Sequence, residues 1–387
     1  MPKIRIVQII GNLSRGGAER FVVDLCNQMA RNTRCEIYLV SLMDNGAEGF
    51  VKDLDSRVKY VSFRKKAGFS LKVFLKLTIW LKNLHPAVVH SHLNSSEYLF
   101  LYRLYSSRAL FFHTIHNVAR EECPGFWLKN LRWIFYRFDK VKPVTISENG
   151  RETYRTYYGL DNDILIENGR PSLKTTEHLG ALSDRYKKYG SNFLLLHIGR
   201  ISAEKNQEML IKVVQKFNET EEVKCKLLLI GEVQDRPLYT RLIKLAAGDP
   251  NIEFKGAQQH IADYLSIADA FCLSSFFEGM PISLIEAMAV GCIPVCTPVG
   301  GMKEMISDGH TGFLSEDTRM ESYELALKRA LYSHQKQALK ENIIRHFETH
   351  FHIEISAKRH LKTYQQLLDQ REGPRSAFAL QYESKFK

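Results

Sequence analysis

The sequence predicts an α/β protein with a doubly wound, mostly parallel sheet. Apolar, β-rich runs alternate with helical patterns along most of its 387 residues, which is typical of consecutive βαβ units. The run Phe193–Ile198 is largely apolar and ends in Gly199, as expected for a strand buried in a parallel sheet. A chain of this length fits two domains of ordinary size better than one.

We expect residues 1–172 to form the first of these domains. The polar stretch Pro171–Gly190 interrupts the alternating pattern and is the best candidate for a linker. Helices are predicted at Glu19–Arg31 and Ser70–Leu84. The predicted strands are Ile4–Ile10, Glu36–Ser41, Val58–Phe63, Ala87–His90, Leu110–His116, Val144–Ser147 and Ile164–Glu167.

The second domain is expected to cover residues 190–352. Its predicted strands are Phe193–Ile198, Lys226–Ile230, Ile252–Lys255, Ala270–Leu273 and Cys292–Val295. Helices are predicted over 204–217, 236–247, 260–267 and 281–291, and again from about residue 320. A long final helix, Glu354–Gln370, precedes residues 371–387, which contain Gly373-Pro374 and are expected to be a loosely held tail.

The net charge of +11 is concentrated in one half of the chain. Residues 1–190 contain 30 Lys and Arg against 18 Asp and Glu, a charge of +12, whereas residues 191–387 contain 24 against 25, a charge of −1. A basic half can attract nucleic acid, an anionic membrane or a phosphorylated substrate. Charge alone does not choose among these partners.

The composition indicates a globular cytoplasmic protein. Hydrophobic residues make up 44% and charged residues 25% of the chain, which is ordinary for such proteins. No run of 18 or more apolar residues occurs, so we expect no membrane span. The seven cysteines are scattered without a C-x-x-C pair, which is typical of a reducing compartment and predicts no zinc site.

Residues 276–291 form the most informative segment of the chain. Glu278 lies in a Gly-Met-Pro loop, a helical pattern begins near Pro281, and Gly291 is a typical residue just past a helix. The first-turn amides of this helix can bind an anion, and Glu286 adds a second carboxylate. Phosphate-binding amides beside two acids suit a nucleotide sugar. The alternative is an amphipathic helix with two surface glutamates. The predicted amide donors are Ile282, Ser283 and Leu284.

Two further loops follow predicted strands and can contact a ligand. The loop Gly199–Asn206 carries Arg200 and Lys205, a pair of cations suited to a diphosphate, or otherwise two solvated surface cations. The loop after the first strand contains Gly16 and Gly17, which allow close backbone approach but also occur in simple turns.

Five histidines fall between residues 85 and 116. His90 and His92 form an H-x-H pair that could hold a metal, but we see no nearby carboxylate or cysteine to complete the site, and none is predicted. His113 and His116 follow in the next predicted strand. The Asp161-Asn162-Asp163 triplet is interpreted as a turn.

The chain resembles the retaining glycosyltransferases of family 4. Residues 277–287 match the signature F-E-G-x-P-x-x-L-x-E-A, residues 199–206 match G-R-x-x-x-x-K-N, and residues 16–20 resemble a G-G-A-E-R loop. The resemblance implies the GT-B fold, with two Rossmann-like domains facing across a cleft. It also implies that the final helix packs back on the first domain.

The same resemblance assigns roles to residues of this sequence. Glu278 would contact the donor sugar and Glu286 the ribose, while Arg200 and Lys205 bind the donor phosphates. His116, with His113 as the second candidate, would face the reacting sugar, and Asn168-Gly169 matches the family's domain junction. The donor would also contact Gly16, Gly17, Gly279, Met280, Pro281, Ile282, Ser283 and Leu284.

We therefore expect a retaining, metal-independent glycosyltransferase that needs no cofactor. It would move a sugar from a nucleotide diphosphate sugar, with UDP favoured, to a glycan or a polyprenyl-diphosphate-linked glycan in capsule or O-antigen synthesis. The alternatives are a UDP-GlcNAc 2-epimerase of the same fold and a basic nucleic-acid-binding protein, although no recognition motif for nucleic acid is present.

We expect the enzyme in the cytoplasm, either free or in a peripheral position on the inner face of the plasma membrane. Lys65–Lys82 and Trp127–Lys142 mix basic and aromatic residues, which suits either an anionic membrane surface or core helices with snorkelling cations.

Overall fold

The structure is a computed structural model that describes residues 3–14, 16–43, 49–106, 108–187 and 192–372. It divides into two compact units. The first unit comprises residues 1–146, 153–166 and 353–387, and the second comprises 147–152 and 167–352. The end of the expected linker, 188–190, and the expected tail from residue 373 onward lie outside the described residues.

The first unit is built on a seven-stranded parallel sheet with the order β3-β2-β1-β4-β5-β6-β7. The order reverses between β1 and β4, so their carboxyl ends flank a switch point of the kind at which open α/β sheets bind ligands. The strands are β1 (Ile4–Ile10), β2 (Cys35–Met43), β3 (Lys59–Lys65), β4 (Val88–His92), β5 (Leu110–Ile115), β6 (Lys142–Thr145) and β7 (Ile164–Leu165).

Helices cover this first sheet. In α1, buried Phe21, Val22, Leu25 and Met29 recur at helical spacing and form an apolar stripe. The helix α2 begins after Ser70, whose hydroxyl accepts a hydrogen bond from the Val73 amide. The helices are α1 (Gly17–Met29), α2 (Leu71–Leu84), α3 (Phe100–Tyr105), α4 (Ala119–Glu122) and α5 (Phe126–Arg137), with α6 (Glu148–Tyr158) divided between the two units.

The second unit repeats the arrangement with six parallel strands in the order β10-β9-β8-β11-β12-β13. Here the switch point lies between β8 and β11. The strands are β8 (Phe193–Ile198), β9 (Cys225–Ile230), β10 (Ile252–Gly256), β11 (Ala270–Leu273), β12 (Pro294–Cys296) and β13 (Phe313–Leu314). The helices are α7 (His178–Tyr186), α8 (Gln207–Thr220), α9 (Arg236–Leu245), α10 (Ile261–Ile267), α11 (Ile282–Ala289), α12 (Met302–Met305), α13 (Met320–Leu331) and α14 (Lys336–His346).

The final helix, α15 (Ile353–Glu372), belongs to the first unit and packs against α1. It follows a π-helical turn, Phe347–Phe351, that ends the second unit. Among the described helices, none is both long and apolar enough to cross a membrane.

The prediction of two α/β units with parallel sheets is confirmed, but some element ends were wrong. The helix predicted from residue 204 begins at Gln207, because Ala203–Lys205 forms a 3-10 turn and Asn206 has a left-handed backbone with φ of 50°. The last strand predicted from Cys292 begins at Pro294, since the Cys292 amide closes the preceding helix by donating to the Ala287 carbonyl at 2.9 Å.

Candidate functional site

Two loops meet at the carboxyl edge of the second sheet. One follows β8 and contains residues 199–206, and the other follows β11 and contains residues 274–281. The Ser274 hydroxyl donates to the carbonyls of Lys205 and Asn206 at 3.1 and 2.9 Å. The Phe276 amide donates to the Glu204 carbonyl at 2.8 Å. These bonds hold the two loops together beside the switch point.

A nearly buried ion pair joins the two loops. The Lys205 ammonium lies 2.5 Å from Oε1 of Glu278, and their side chains are only 14% and 9% exposed. The Ser275 hydroxyl donates to the same carboxylate oxygen at 2.6 Å. Pairing and hydrogen bonding offset the cost of removing these charges from water. The pair therefore holds a cation and a carboxylate in a defined geometry.

Arg200 lies on the same loop as Lys205, but its side chain is exposed. Among the described residues, no carboxylate forms an ion pair with its guanidinium. The side-chain amide of Gln207 donates a hydrogen bond to the Arg200 carbonyl at 2.7 Å, and the same amide nitrogen lies 3.2 Å from His197 Nε2. Burial lowers the pKa of His197 to about 4, which keeps this ring neutral. Within the described residues, the Arg200 guanidinium is thus an unpaired cation whose backbone is held by hydrogen bonds.

The helix α11 begins at Ile282 directly after Pro281, as predicted from its sequence. The Leu284 amide donates to the Pro281 carbonyl at 3.1 Å, so the prediction that it is a free anion donor requires correction. Ile282 and Ser283 occupy the first two helical positions, where amides have no intrahelical partner. The amides of Ile282 and Ser283 therefore remain the two candidates for anion binding at this helix.

Glu286 is held by an ion pair from a distant part of the sequence. The Arg170 guanidinium lies 2.9 Å from Oε1 of Glu286, and the side chains are 7% and 13% exposed. Arg170 follows Asn168-Gly169, and the Asn168 amide contacts the Met280 sulfur at 3.2 Å. The alternative of two surface glutamates is wrong, since Glu278 is also buried.

A pair of glycines supports the Glu278 loop. The Gly301 amide donates to the Gly279 carbonyl at 2.9 Å. A Cβ on Gly301 would lie 2.2 Å from that carbonyl oxygen, and one on Gly300 would lie 1.8 Å from the Glu278 carbonyl oxygen. Such distances exclude any side chain without movement of the backbone. The turn between β12 and α12 therefore sets the position of Glu278.

The glycine loop of the first unit leads directly into α1. Gly16 precedes the helix with an extended backbone, and Gly17 is its first residue. The space beside Gly16 is occupied by the Glu19 carboxylate, whose Oε2 would lie 2.1 Å from a Cβ. The loop follows β1 at the first switch point, where the close approach of its backbone to a ligand remains an expectation.

The histidines of the first unit form a buried hydrogen-bond network. His90 contacts the Tyr364 hydroxyl and Thr114 Oγ1 at 2.5 and 2.7 Å, and its ring stacks on His92 at 4.6 Å. His92 contacts Gln8 Oε1 and His116 Nε2 at 2.8 and 2.9 Å. Burial lowers the pKa of both His90 and His92 well below the ordinary value.

The two candidate histidines at the end of β5 differ in how many of their ring nitrogens have a hydrogen-bond partner. His113 uses Nδ1 for the Ser91 hydroxyl at 2.9 Å and Nε2 for the Glu122 carboxylate at 3.2 Å. His116 lies just past the strand, because its amide turns to Glu122 at 2.7 Å. Its Nδ1 is buried and has no hydrogen-bond partner among the described residues. Burial lowers the pKa of His116 to about 4, against the opposing charge of Glu122. His116 is therefore the better candidate.

Glu122 is a carboxylate beside the two later histidines. It contacts His113 Nε2 and the His116 amide, not the His90 and His92 pair for which we expected no completing carboxylate. It also faces the Arg132 guanidinium at 3.8 Å. Across the described ranges, no group of three or more His, Cys, Asp and Glu side chains is suited to hold a metal ion.

The Asp161-Asn162-Asp163 triplet makes local contacts. Asp161 pairs with Arg155 at 2.5 Å, and the Asn162 side chain accepts from the Tyr154 hydroxyl at 2.8 Å. Asp163 accepts from the Thr145 hydroxyl at 2.5 Å. The triplet lies in an irregular segment between α6 and β7, and its interpretation as a turn stays a prediction.

Large apolar side chains are exposed on α2, α3 and α5. Leu71, Leu75 and Ile79 repeat every four residues on α2, and Trp127 of α5 is 85% exposed. The helix α2 contacts α3, and Phe100 of α3 stacks on Phe135 of α5 at 4.5 Å. The three helices are therefore neighbours.

This outer surface corrects the interpretation of α5. Arg132, one of the basic residues of the Trp127–Lys142 segment, is 1% exposed and pairs with Glu97 and Glu122, so it is neither a surface cation nor a snorkelling one. The helix is also not a simple core helix, because Trp127 faces solvent.

Comparison with known families accounts for most of the chain. Residues 15–169 match the family model described as Glycosyltransferase Family 4, and residues 181–348 match the model described as Glycosyl transferases group 1. This chain belongs to the family 4 glycosyltransferases. The two models match successive parts of the glycosyltransferase, and each covers the greater part of one predicted domain.

Curated relatives share moderate sequence identity with the glycosyltransferase. The N-acetyl-alpha-D-glucosaminyl L-malate synthase of Bacillus anthracis is 33% identical over 133 residues, which is 34% of each chain. A Campylobacter jejuni enzyme is 25% identical over 368 residues, covering 89% of this chain and 96% of its own. Its name describes an alpha-1,4-N-acetyl-D-galactosaminyltransferase acting on a diphospho-undecaprenol-linked trisaccharide.

Solved structures share the GT-B fold of the glycosyltransferase. A glycosyltransferase from Rickettsia africae superimposes with a TM-score of 0.77 at 19% identity, covering 95% of this chain and 99% of that one. Anabaena HepE, solved in complex with UDP-glucose, has a TM-score of 0.77 at 16% identity, covering 94% of this chain and 100% of that one. At these identities the likeness shows the fold alone.

Three features of the glycosyltransferase's site were missed from the sequence. Arg170 was not considered, although a cation directly after Asn168-Gly169 was visible. The Val-Gly-Gly turn at Gly300 and Gly301 also carried a signal, because paired glycines permit close backbone approach. Gln8 stands out as a polar side chain inside an otherwise apolar strand segment, which is unusual for a central parallel strand.

Proposed function

We propose that this chain is a retaining glycosyltransferase that uses a nucleotide diphosphate sugar, with UDP as the favoured nucleotide. Its acceptor would be a lipid-diphosphate-linked glycan in cell-surface polysaccharide synthesis, such as that of capsule or O-antigen. The observation that carries this proposal is the Lys205–Glu278 pair at the switch point of the second sheet, with Arg200 exposed beside it.

The proposed donor site separates the roles of cations and carboxylates. Arg200, Lys205 and the amides of Ile282 and Ser283 would contact the diphosphate. Glu278 would accept hydrogen bonds from sugar hydroxyls while Lys205 stays between it and the phosphates. Negative charge on the diphosphate rises as the sugar leaves, and pre-positioned cations stabilise that charge most.

Glu286 would accept hydrogen bonds from the ribose hydroxyls. The Arg170 guanidinium, 2.9 Å from Oε1, restricts the carboxylate to one orientation. A carboxylate that is already oriented loses less conformational entropy when the ribose binds. Arg170 therefore supports the assignment of Glu286 without itself contacting the donor in this proposal.

The proposed reaction needs no dedicated side-chain base. The acceptor hydroxyl oxygen forms a bond to C1 of the sugar as the bond from C1 to the phosphate oxygen breaks. The acceptor proton passes to an oxygen of the departing diphosphate. His116, held neutral by burial, would contact the reacting sugar. The Campylobacter jejuni relative, named for a lipid-diphosphate-linked acceptor, supports the acceptor class, and the UDP-glucose complex of Anabaena HepE supports the donor class.

Transfer from UDP-sugars should proceed in EDTA, because cationic side chains take the place of a divalent ion on the diphosphate. The assay supplies a panel of nucleotide sugars and a polyprenyl-diphosphate-linked glycan as acceptor. It measures the release of the nucleotide and the growth of the glycan. Loss of activity on chelation, with recovery on adding Mn²⁺, would contradict metal independence. No turnover of any UDP-sugar would contradict the choice of nucleotide.

The epimerase alternative is tested by the same donor panel without acceptor. A 2-epimerase converts UDP-GlcNAc to its C2 epimer and leaves the nucleotide sugar intact, whereas a transferase requires the acceptor for rapid release of UDP. The nucleic-acid-binding alternative predicts filter retention of nucleic acid that falls steeply with salt.

We further propose that the first unit docks on an anionic membrane to reach a lipid-linked acceptor. Support comes from the exposed apolar stripe of Leu71, Leu75 and Ile79 and from exposed Lys72 and Lys76 between its members. Apolar groups beside cations suit the interface of an anionic bilayer. Each basic residue near such a surface contributes on the order of 1 kcal/mol, screened by salt.

Binding to anionic liposomes should exceed binding to neutral liposomes and should weaken with salt. Replacing Lys72, Lys76 and Arg137 together by Gln should reduce co-sedimentation while leaving UDP affinity unchanged. Replacing Lys212, Arg241 and Lys244 of the second unit by Gln changes the net charge equally and provides the control. Equal binding of both vesicle types would contradict membrane docking.

A further inference from the structure

Gln8 is a buried amide at the centre of the first sheet. It lies in β1, is 0% exposed, and is paired in register with His90 of β4. Its Oε1 lies 2.8 Å from His92 Nε2, and its Nε2 lies 3.3 Å from the Tyr364 hydroxyl and 3.9 Å from the Met29 sulfur. A buried amide with partners at both ends is held in one position.

The Met29 sulfur determines which way the amide points. A thioether can only accept a hydrogen bond, so the NH₂ group of Gln8 faces it and the carbonyl oxygen faces His92. The oxygen can only accept, so His92 Nε2 must carry the proton of this hydrogen bond. Gln8 thereby selects one tautomer of His92.

The tautomer of His92 determines the tautomer of the next ring, His116. His92 is fully buried and neutral, because burial lowers its pKa well below the ordinary value. Its Nδ1 therefore has no proton and can only accept. His116 Nε2, 2.9 Å away, must donate to it. His116 is then left with an unprotonated Nδ1, the buried atom that has no partner within the described residues.

We propose that Gln8 and His92 are positioning residues that hold His116 as the Nε2–H tautomer, so that Nδ1 presents a hydrogen-bond acceptor to the substrate. The substrate group would be a hydroxyl, since a hydroxyl donates a proton and fits an acceptor nitrogen. In the nucleotide sugar this is a hydroxyl of the reacting sugar, which rests on the proposed function. The selection of the tautomer itself does not depend on that function.

The contacts around His116 favour a single ring orientation. Phe21 of α1 meets the ring edge-on with centroids 6.0 Å apart, and Glu122 holds the residue's backbone amide at 2.7 Å. Rotating the ring by a half turn would remove Nε2 from His92 and break the hydrogen bond. The tautomer and the orientation of His116 thus depend on each other.

The tautomer can be measured directly in the full-length protein with ¹⁵N-labelled histidine. Long-range ¹H–¹⁵N correlation spectra distinguish a ring protonated at Nε2 from one protonated at Nδ1. In the unsubstituted chain, His116 should show the Nε2–H pattern. An Nδ1–H pattern would overturn the proposal without any variant.

Gln8→Met removes the acceptor for His92 while retaining an unbranched side chain of similar length. His92 is then free to carry its proton on Nδ1, and His116 should become a mixture of tautomers. The kcat of sugar transfer should fall in proportion to the fraction of molecules that lose the Nε2–H tautomer, about twofold for an even mixture, with little change in donor KM, since those molecules lose one hydrogen bond to the reacting sugar. An unchanged Nε2–H pattern in this variant would overturn the proposal.

Thr114→Val is the matched control. It removes the partner of His90 Nε2, which lies 2.7 Å away in the same buried network. Along the hydrogen bonds of that network, Tyr364, Gln8 and His92 separate His90 from His116. The His116 tautomer and kcat should both remain near those of the unsubstituted chain. If Gln8→Met changes the tautomer but not kcat, the positioning by Gln8 and His92 stands and the role of His116 in sugar transfer fails.

Discussion

Alanine at Lys205 or Arg200 is expected to weaken UDP binding by about 2 kcal/mol or more where the contact to phosphate is desolvated, and to slow sugar transfer. Both cations lie on the loop after β8, but their surroundings differ. Lys205 is 14% exposed and paired with Glu278, whereas Arg200 is exposed. The two variants should therefore share a loss of affinity and differ in stability.

Lys205→Ala leaves the Glu278 carboxylate nearly buried without its cation. Such a change should lower the free energy of unfolding by roughly 1–3 kcal/mol, while Arg200→Ala should leave it nearly unchanged. Calorimetric titration with UDP and urea unfolding measure the two effects separately. Lys212→Ala breaks an exposed pair with Glu208 at 2.7 Å and is the control for loss of a lysine. Unchanged UDP affinity in both site variants would rule out the assignment.

Gly301→Ala is expected to displace the Glu278 loop and to lower kcat on the order of a hundredfold, because a shift of about 1 Å can cost that much in a positioned site. The new Cβ would lie 2.2 Å from the Gly279 carbonyl oxygen, which is backbone and cannot rotate away. The free energy of unfolding should fall by about 1–3 kcal/mol as a result of overpacking.

The control for this substitution is Gly180→Ala in α7. A Cβ at Gly180 meets no atom within 4 Å, and alanine is the better helix former. This variant should keep full activity and equal or greater stability. Activity near that of the unsubstituted chain in Gly301→Ala would show that the Glu278 loop does not need its observed position.

The strands of both sheets could be predicted because buried parallel strands are apolar throughout. Phe193–Ile198 and Ala270–Leu273 were located to the residue, and the loops that follow them then had to share one edge of the sheet. Loops at that edge are where open α/β sheets bind ligands, while the assignment of Lys205 and Glu278 to one donor site came from the family resemblance.

The partners of site residues could not be predicted in the same way. Gln8 and Tyr364 are 356 positions apart, yet their side chains meet at 3.3 Å. Periodicity also does not reveal whether a basic residue on a helix is buried by a carboxylate from elsewhere. The burial of Arg132 could not be predicted for this reason, because Glu97 and Glu122 come from other elements.

The measurement that tests the donor site most directly is amide hydrogen exchange of the full-length chain with and without UDP. Contact between the diphosphate and the loops after β8 and β11 should slow exchange in peptides covering residues 199–206 and 278–286. Arg200→Ala should reduce this protection at the same UDP concentration. Protection confined to the first unit, or none at either loop under saturating UDP, would contradict the account.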